Sequence, residues 1–421
     1  MSSEFEKKLE KYTEVILKVG LNIQPKQRLL IGGPSVFQDG ISFDNAPLIR
    51  MISKKAYQMG ANLVDVIWAD EQLRPIRFKY GPRKSLRLYP KWRVDAKLDI
   101  AQAGDAHLEI MSPKPDLLES VDVSVILKFQ LFLIKHTKPL SAYTSQFSFN
   151  WLIIATPNQA WADKLLPHIP SEERVQKLWE IIFDICYIGE EDPIAAWKKH
   201  DEKLKKRASY LNKQQYKTLK FTSPGTDLTI GLPKDHIWDG GSLKSRNGIV
   251  FQPNIPTEEI FTTPNKDQVE GVVKVTKPVL IEGQLIEDCV FNFSEGRIIE
   301  ANAKIGNDTI NSIISIDNGA RRLGEIALVP HSSPISQMDM LFYNLLIDEN
   351  ASSHMALGRG FKSSFKNGNK LTDDEFIAAG GNMSTIHLDL MIGSGEMNVD
   401  GILDDGTREP IMQKGEWAFE I

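Results

Sequence analysis

The stretch RLLIGGP, residues 28–34, reads as a short apolar strand stopped by a Gly-Gly-Pro turn. Its flanks repeat one alternation. Residues 46–59, APLIRMISKKAYQM, have helical spacing and end at Gly60, a helix-stop signal. Residues 62–68, NLVDVIW, form the next strand. A helix around 94–103 and strands at 106–111, 121–127 and 151–156 follow. Upstream, Leu9, Tyr12, Val15, Ile16 and Val19 recur at helical spacing over residues 5–19. Strand–helix alternation predicts an α/β amino-terminal domain with a largely parallel sheet. The Gly32–Gly33 turn lacks GxGxxG, and no phosphate loop ending in Gly-Lys-Ser/Thr occurs, so it reads as a plain strand-to-helix turn.

Beyond Leu211 the pattern becomes short strands separated by Gly, Pro and Asp, as at 219–221, 227–231, 272–276 and 290–292. That is an α+β pattern. With 421 residues, two domains are expected: 1–215, α/β, and 216–421, α+β. The net charge of −5 gives no global attraction to nucleic acid or anionic membrane. One basic run, Arg74 to Arg93, interleaves Phe78, Tyr80, Tyr89 and Trp92, the composition of a single-strand nucleic-acid groove. In an acidic chain without a nucleic-acid motif it reads instead as a solvated face. The apolar run Val125 to Ile134 is short and broken by Lys128, so no transmembrane helix is expected. Only Cys186 and Cys289 are present, and the charged amino terminus has no signal-peptide pattern. Both features predict a reduced, cytoplasmic protein.

The residues that carry chemistry lie mostly between 324 and 393. GEIALVPHSSPIS (324–336), LFYNLLIDENASSHMALGRGF (341–361) and NMSTIHLDLMIG (382–393) contain Glu325, His354, His387 and Asp389. His387 and Asp389 are two apart in an apolar run, so a strand would place both on one face. His354, after the capping-type residues Asp348 and Asn350, reads as part of a short helix, ASSHMALG. Upstream, NIPTEEIF supplies Glu258 and Glu259. Imidazole and carboxylate are the donors that catalytic Zn²⁺, Co²⁺ or Mn²⁺ sites use. No HExxH is present, so any ligands converge from separate elements. Ser394 in IGSGE is not a GxSxG nucleophile, and neither cysteine has an evident histidine partner.

The strings NIPTEEIFTTP, RRLGEIALVPHSSPIS, LFYNLLIDENASSHMALG and IHLDLMIG together resemble the family of aminopeptidase T and aminopeptidase S, thermophilic-type metalloaminopeptidases. ATPNQAWADKLLP and DPIAAWKKHDEKL extend the resemblance through most of the chain. The resemblance implies two divalent ions (Zn²⁺, Co²⁺, Mn²⁺ or Mg²⁺) held by Glu259, Glu325, His354, His387 and Asp389. It implies hydrolysis of the N-terminal peptide bond of peptides by metal-activated water, broad side-chain preference, and a homodimer that helps enclose the site. Glu258, next to a ligand, is the candidate general base. Where the family pattern has a tyrosine seven residues after the first histidine, this chain has Phe361, and Asn265 stands where relatives carry histidine. The loss of that hydroxyl motivates the rival expectation of a weakened or inactive relative that binds peptide or metal.

Overall fold

The structure, a computed structural model, describes residues 3–34, 38–281 and 283–420. It divides into two compact units, residues 1–201 with 242–257, and residues 202–241 with 258–421.

The first unit is built on a parallel sheet of β1 (Arg28–Gly32), β2 (Leu63–Val66), β3 (Ala106–Met111), β4 (Trp151–Ala155) and the short strand Asn254–Ile255. Their order is β2-β1-β3-β4, with Asn254–Ile255 outside β4. Parallel neighbours need crossover connections. The helices Ala46–Gln58 and Lys91–Ala103 lie in two of them. Leu30 of β1, Ile67 and Ile100 form one buried cluster against the second of these helices. Tyr12, fully buried on the helix Ser3–Val15, donates its hydroxyl to the Ala155 carbonyl at 3.1 Å.

One expected strand is a helix. Residues 121–127 open the helix Val123–Ser145. The Asp122 carboxylate accepts from the Ser124 amide at 2.7 Å, an N-cap contact that a strand would not make. Buried positions then recur as Ile126, Phe129, Leu133, Thr137 and Leu140, spaced three or four apart. A seven-residue window of β-branched residues is too short to show that period.

In the second unit an eight-stranded antiparallel sheet includes Thr218–Ser223, Thr226–Gly231, Val269–Lys274 and Asn398–Ile402. A separate four-stranded antiparallel sheet runs β5 (Ile260–Thr262), β6 (Leu323–Leu328), β7 (His354–Gly358) and β8 (His387–Met391), in that order. The α/β amino-terminal and α+β carboxy-terminal classes hold. The expected helix at ASSHMALG does not: helical turns over Leu345–Asp348 and Glu349–Ala351 end before His354, which begins β7. All five residues of β7 are buried. A strand covered on both faces shows no alternation, so its apolar run imitates a short helix. No helix among the described residues is long and apolar enough to cross a membrane.

Candidate metal centre

The register of the four-stranded sheet builds the site. Glu325 of β6 pairs with Ala356 of β7, and Ala356 pairs with Asp389 of β8. Directly opposed residues point to the same face. His354, two before Ala356, and His387, two before Asp389, share that face. His387 is opposed by Gly358, so the small residues Ala356 and Gly358 leave room between the ligand-bearing strands.

Glu325 reaches this face through a β-bulge. Leu323 pairs with Leu357, yet Glu325 pairs with Ala356, so Gly324 is an extra residue. The bulge inverts the phase: Leu323 and Glu325 would share a face in a regular strand, and here they do not. A Cβ on Gly324 would lie 2.4 Å from the carbonyl oxygens of Gly358 and Arg359, so only glycine fits.

Glu259 precedes β5 and is outside regular strand, as is Glu258, so strand alternation does not separate the two. The Glu258 amide donates to Asn350 Oδ1 at 2.7 Å, and Asn350 Nδ2 donates to the Leu346 carbonyl at 2.9 Å. Asn350, fully buried, thus ties the Glu258–Glu259 backbone to the turn before β7.

Two donor groups result. Ligand atoms of Glu259, Glu325 and His354 lie within 4.8 Å of one another, and so do those of Glu325, His387 and Asp389. Glu325 belongs to both. His354 Nε2 is 3.1 Å from Glu259 Oε2, and His387 Nε2 is 3.1 Å from Glu325 Oε2 and 3.3 Å from Asp389 Oδ1. On the other side of each ring, His354 Nδ1 faces the Ser352 carbonyl at 3.1 Å and His387 Nδ1 faces the Arg359 carbonyl at 2.7 Å. A carbonyl only accepts, so each Nδ1 carries the hydrogen. Each Nε2 of a neutral ring would then aim a lone pair at carboxylate oxygen. Such a contact is stable only with a proton or a cation between the two, and this donor set suits a divalent ion.

The electrostatics agree. Burial opposes the charge on His354, but the Glu259 hydrogen bond and the neighbouring carboxylates raise it to about 10. His387 is likewise raised well above the usual imidazole range, against burial, by Asp389 and Glu325. Burial raises Glu325 while His387 pulls it down. Asp389 is lowered in spite of burial, chiefly by His387.

A residue not anticipated from sequence joins this field. Burial, then Asp389 and Glu259, push the Glu349 carboxyl well above its ordinary range. In LIDENA it resembles one more polar residue of a helix end, and nothing in its spacing marks it. Phe361 lies outside any helix, yet its ring centroid is 5.0 Å from that of His387 and 5.6 Å from that of Phe261. Its backbone is fixed by Thr263, whose Oγ1 accepts from the Phe361 amide at 2.9 Å. Asn265 makes a local turn, accepting from the Asp267 amide at 3.1 Å.

Comparison with known proteins bears directly on this geometry. The family model described as thermophilic metalloprotease (M29) matches residues 5–417. Aminopeptidase 2 of Geobacillus stearothermophilus is 42% identical over 422 residues, covering 100% of both chains. Aminopeptidase AmpS of Bacillus subtilis (strain 168) is 37% identical, covering 99% of each. The solved structure of wild-type AmpT from Thermus thermophilus superposes with a TM-score of 0.91 at 36% identity, covering 99% of this chain and 100% of that one. The chain therefore belongs to the thermophilic metalloprotease family M29 and is a metal-dependent hydrolase.

Proposed function

We propose that this protein is a two-metal aminopeptidase that removes N-terminal residues from peptides. The observation that carries the proposal is that Glu325 stands in both donor groups, so it can serve two ions at once. Glu259 and His354 would complete one site, and His387 and Asp389 the other, with Zn²⁺, Co²⁺, Mn²⁺ or Mg²⁺ as the candidate ions. Bound there, such ions supply Lewis-acid chemistry, acidifying water and polarising the scissile carbonyl.

The chain's own groups have defined tasks. The Nδ1–H bonds to Ser352 and Arg359 orient the imidazoles. A general base must take a proton from the water as it adds to the carbonyl carbon, and return it to the amine nitrogen as the C–N bond then breaks. Glu258 is our candidate, supported by its place beside Glu259 and its backbone anchor on Asn350. Glu349 is tested beside it, as a buried carboxyl whose charge Asp389 and Glu259 oppose. Phe361 contributes an apolar wall against His387 and no hydrogen-bond donor.

Peptides are the substrates in this reading, the protein acts as a homodimer, and its two buried free cysteines suit a cytoplasmic setting. A weakened or non-turning relative is the second reading, favoured by the ring of Phe361 at His387. The test is hydrolysis of aminoacyl amides and dipeptides by chelator-treated protein with each ion restored, alongside His387→Ala, Glu258→Gln and Glu349→Gln. Metal-dependent release that disappears in His387→Ala supports the proposal. Whichever glutamine variant loses kcat with KM retained names the base. No turnover with any ion would remove the aminopeptidase reading and leave the binding one.

A further inference from the structure

The basic run Arg74 to Arg93 takes no part in the chemistry above, and its first helix, Leu73–Tyr80, is turned inside out. Leu73, Ile76 and Tyr80 stand at i, i+3 and i+7, on one face, and are 60%, 49% and 71% exposed. The arginines point the other way. Arg74 is 7% exposed, with its Nε 3.9 Å from Asp39 Oδ2. Arg77 donates to the Ser85 and Leu88 carbonyls, and its guanidinium carbon lies 5.1 Å from the centroid of the Phe129 ring. Phe78 packs edge-on against the same ring at 5.3 Å. The run was expected to meet water with its charges; in this helix it meets water with hydrocarbon.

The Arg77 bonds tie the turn Arg83–Arg87 and Leu88 to this helix. Arg93, whose Nη1 lies 2.5 Å from Asp39 Oδ1, ties the start of the helix Lys91–Ala103 to the carboxylate that faces Arg74. Leu88 and Trp92, within the stretch so tethered, are exposed as well. Nine of the thirteen large hydrophobic side chains exposed among the described residues lie between Phe43 and Trp92, so apolar exposure is concentrated in this part of the first unit. Leu73, Ile76, Tyr80, Leu88 and Trp92 together present on the order of 500 Å², a size at which apolar surface marks a contact site. The charge around them has one sign. Residues 72–93 hold eight of the chain's 50 basic residues and none of its 55 acidic ones, which leaves 42 basic against 55 acidic residues elsewhere. Lys79, Arg83, Lys84, Arg87 and Lys91 are exposed. Lys91 meets Asp95 at 3.8 Å, and the other four make no ion pair among the described residues.

We propose that this face docks the first unit on an anionic lipid surface. Leucine, isoleucine, tyrosine and tryptophan rimmed by lysine and arginine are what a surface-lying helix presents to a bilayer: the apolar side chains enter the headgroup boundary and the cations meet lipid phosphate. The attachment is peripheral, since no described helix can cross a membrane. The helix is already folded within the unit, so no ordering cost is added on docking. A single nucleic-acid strand would stack on Tyr80 and Trp92 but would leave Leu73, Ile76 and Leu88 unused. A second copy packed face to face would set the exposed cations against their own image. An anionic lipid surface uses both the apolar stripe and the charge.

The test is co-sedimentation of the full-length protein with vesicles of equimolar phosphatidylglycerol and phosphatidylcholine. The protein should pellet with these vesicles, stay in solution with phosphatidylcholine alone, and be released as salt is raised. The double variant Ile76→Ser, Tyr80→Ser should bind about tenfold more weakly or worse, and so should Lys84→Gln, Arg87→Gln. All four side chains are exposed, so both variants should keep the thermal unfolding of the wild type. Ile299→Ser, exposed in the second unit, should bind as the wild type does. No vesicle binding, equal binding to phosphatidylcholine alone, or full binding by either double variant would each overturn the proposal. Displacement from the vesicles by a single-stranded oligonucleotide would give the face to nucleic acid instead. Sedimentation velocity showing a wild-type dimer and a monomeric Ile76→Ser, Tyr80→Ser variant would give it to a second copy of the chain.

Discussion

The ring of Phe361 lies against the ring of His387, with 5.0 Å between centroids and planes 55° apart. A hydroxyl added to that ring would enter the neighbourhood of a proposed ligand without displacing its backbone, which Thr263 holds on both sides. Phe361→Tyr should therefore fold normally and raise kcat, by up to about 10²-fold if the phenol donates to the transition state. Steady-state kinetics on one dipeptide series decides it. An unchanged or lower kcat in a folded variant would show that the missing hydroxyl costs this enzyme nothing.

Gly324 sets the phase of β6. Gly324→Ala would drive a methyl group into the Gly358 and Arg359 carbonyls. The expected outcome is a loss of about 1–3 kcal/mol of stability together with weaker metal retention, because relieving the clash moves Glu325. Urea unfolding and metal content after gel filtration measure the two effects. Full metal content with normal stability would mean that the bulge does not position Glu325.

Protons and metal compete for the same imidazoles. In the metal-free protein, the pairing of His354 with Glu259 raises its pKa to about 10. The sign follows from linkage. A raised histidine contributes stability that is complete below its unfolded value of about 6.5, and this is lost as pH rises through the folded value near 10. His387 acts in the same direction. Metal affinity should accordingly increase from pH 6 to 8, with about two protons released per molecule as the sites fill. Calorimetric titration in buffers of different ionisation enthalpy counts them. Proton-neutral binding at pH 7 would contradict the assignment of both histidines.

Asn350 holds the Glu258 amide and the Leu346 carbonyl with one side chain. Asn350→Ala leaves a buried amide unpaired, at a cost of about 1–3 kcal/mol, and frees the segment that carries Glu258 and Glu259. Activity should fall more than stability explains. Asn350→Asp keeps the acceptor for Glu258 and should recover part of the loss. Equal kcat in all three proteins would show that the anchor is dispensable.

Parts of this site are legible in the chain because they follow short rules. His387 and Asp389 share a face by strand alternation, and the structure opposes them to Gly358 and Ala356. The strands at RLLIG and WLIIA read directly, since parallel strands buried on both faces are continuous apolar runs. The same burial hides β7, where five covered residues imitate a helix. Phe361 therefore does not follow His354 along a helix, and its nearness to His387 comes from the chain turning after Gly358. Gly324 and Glu349 are not legible at all. A bulge is a property of two paired strands, and a buried acid is recognised by its neighbours in space.

The short strand Asn254–Ile255 has a consequence for how the chain is made. It pairs in parallel with β4 and closes the first unit's sheet, although residues 202–241, which belong to the second unit, emerge from the ribosome before it. During synthesis the amino-terminal sheet therefore waits, one edge open, until about fifty more residues have been translated. A fragment ending at residue 201 would keep that edge exposed for good and should associate through it. The same polypeptide thus needs protection in the nascent state at a place that the finished chain covers with a short strand of its own.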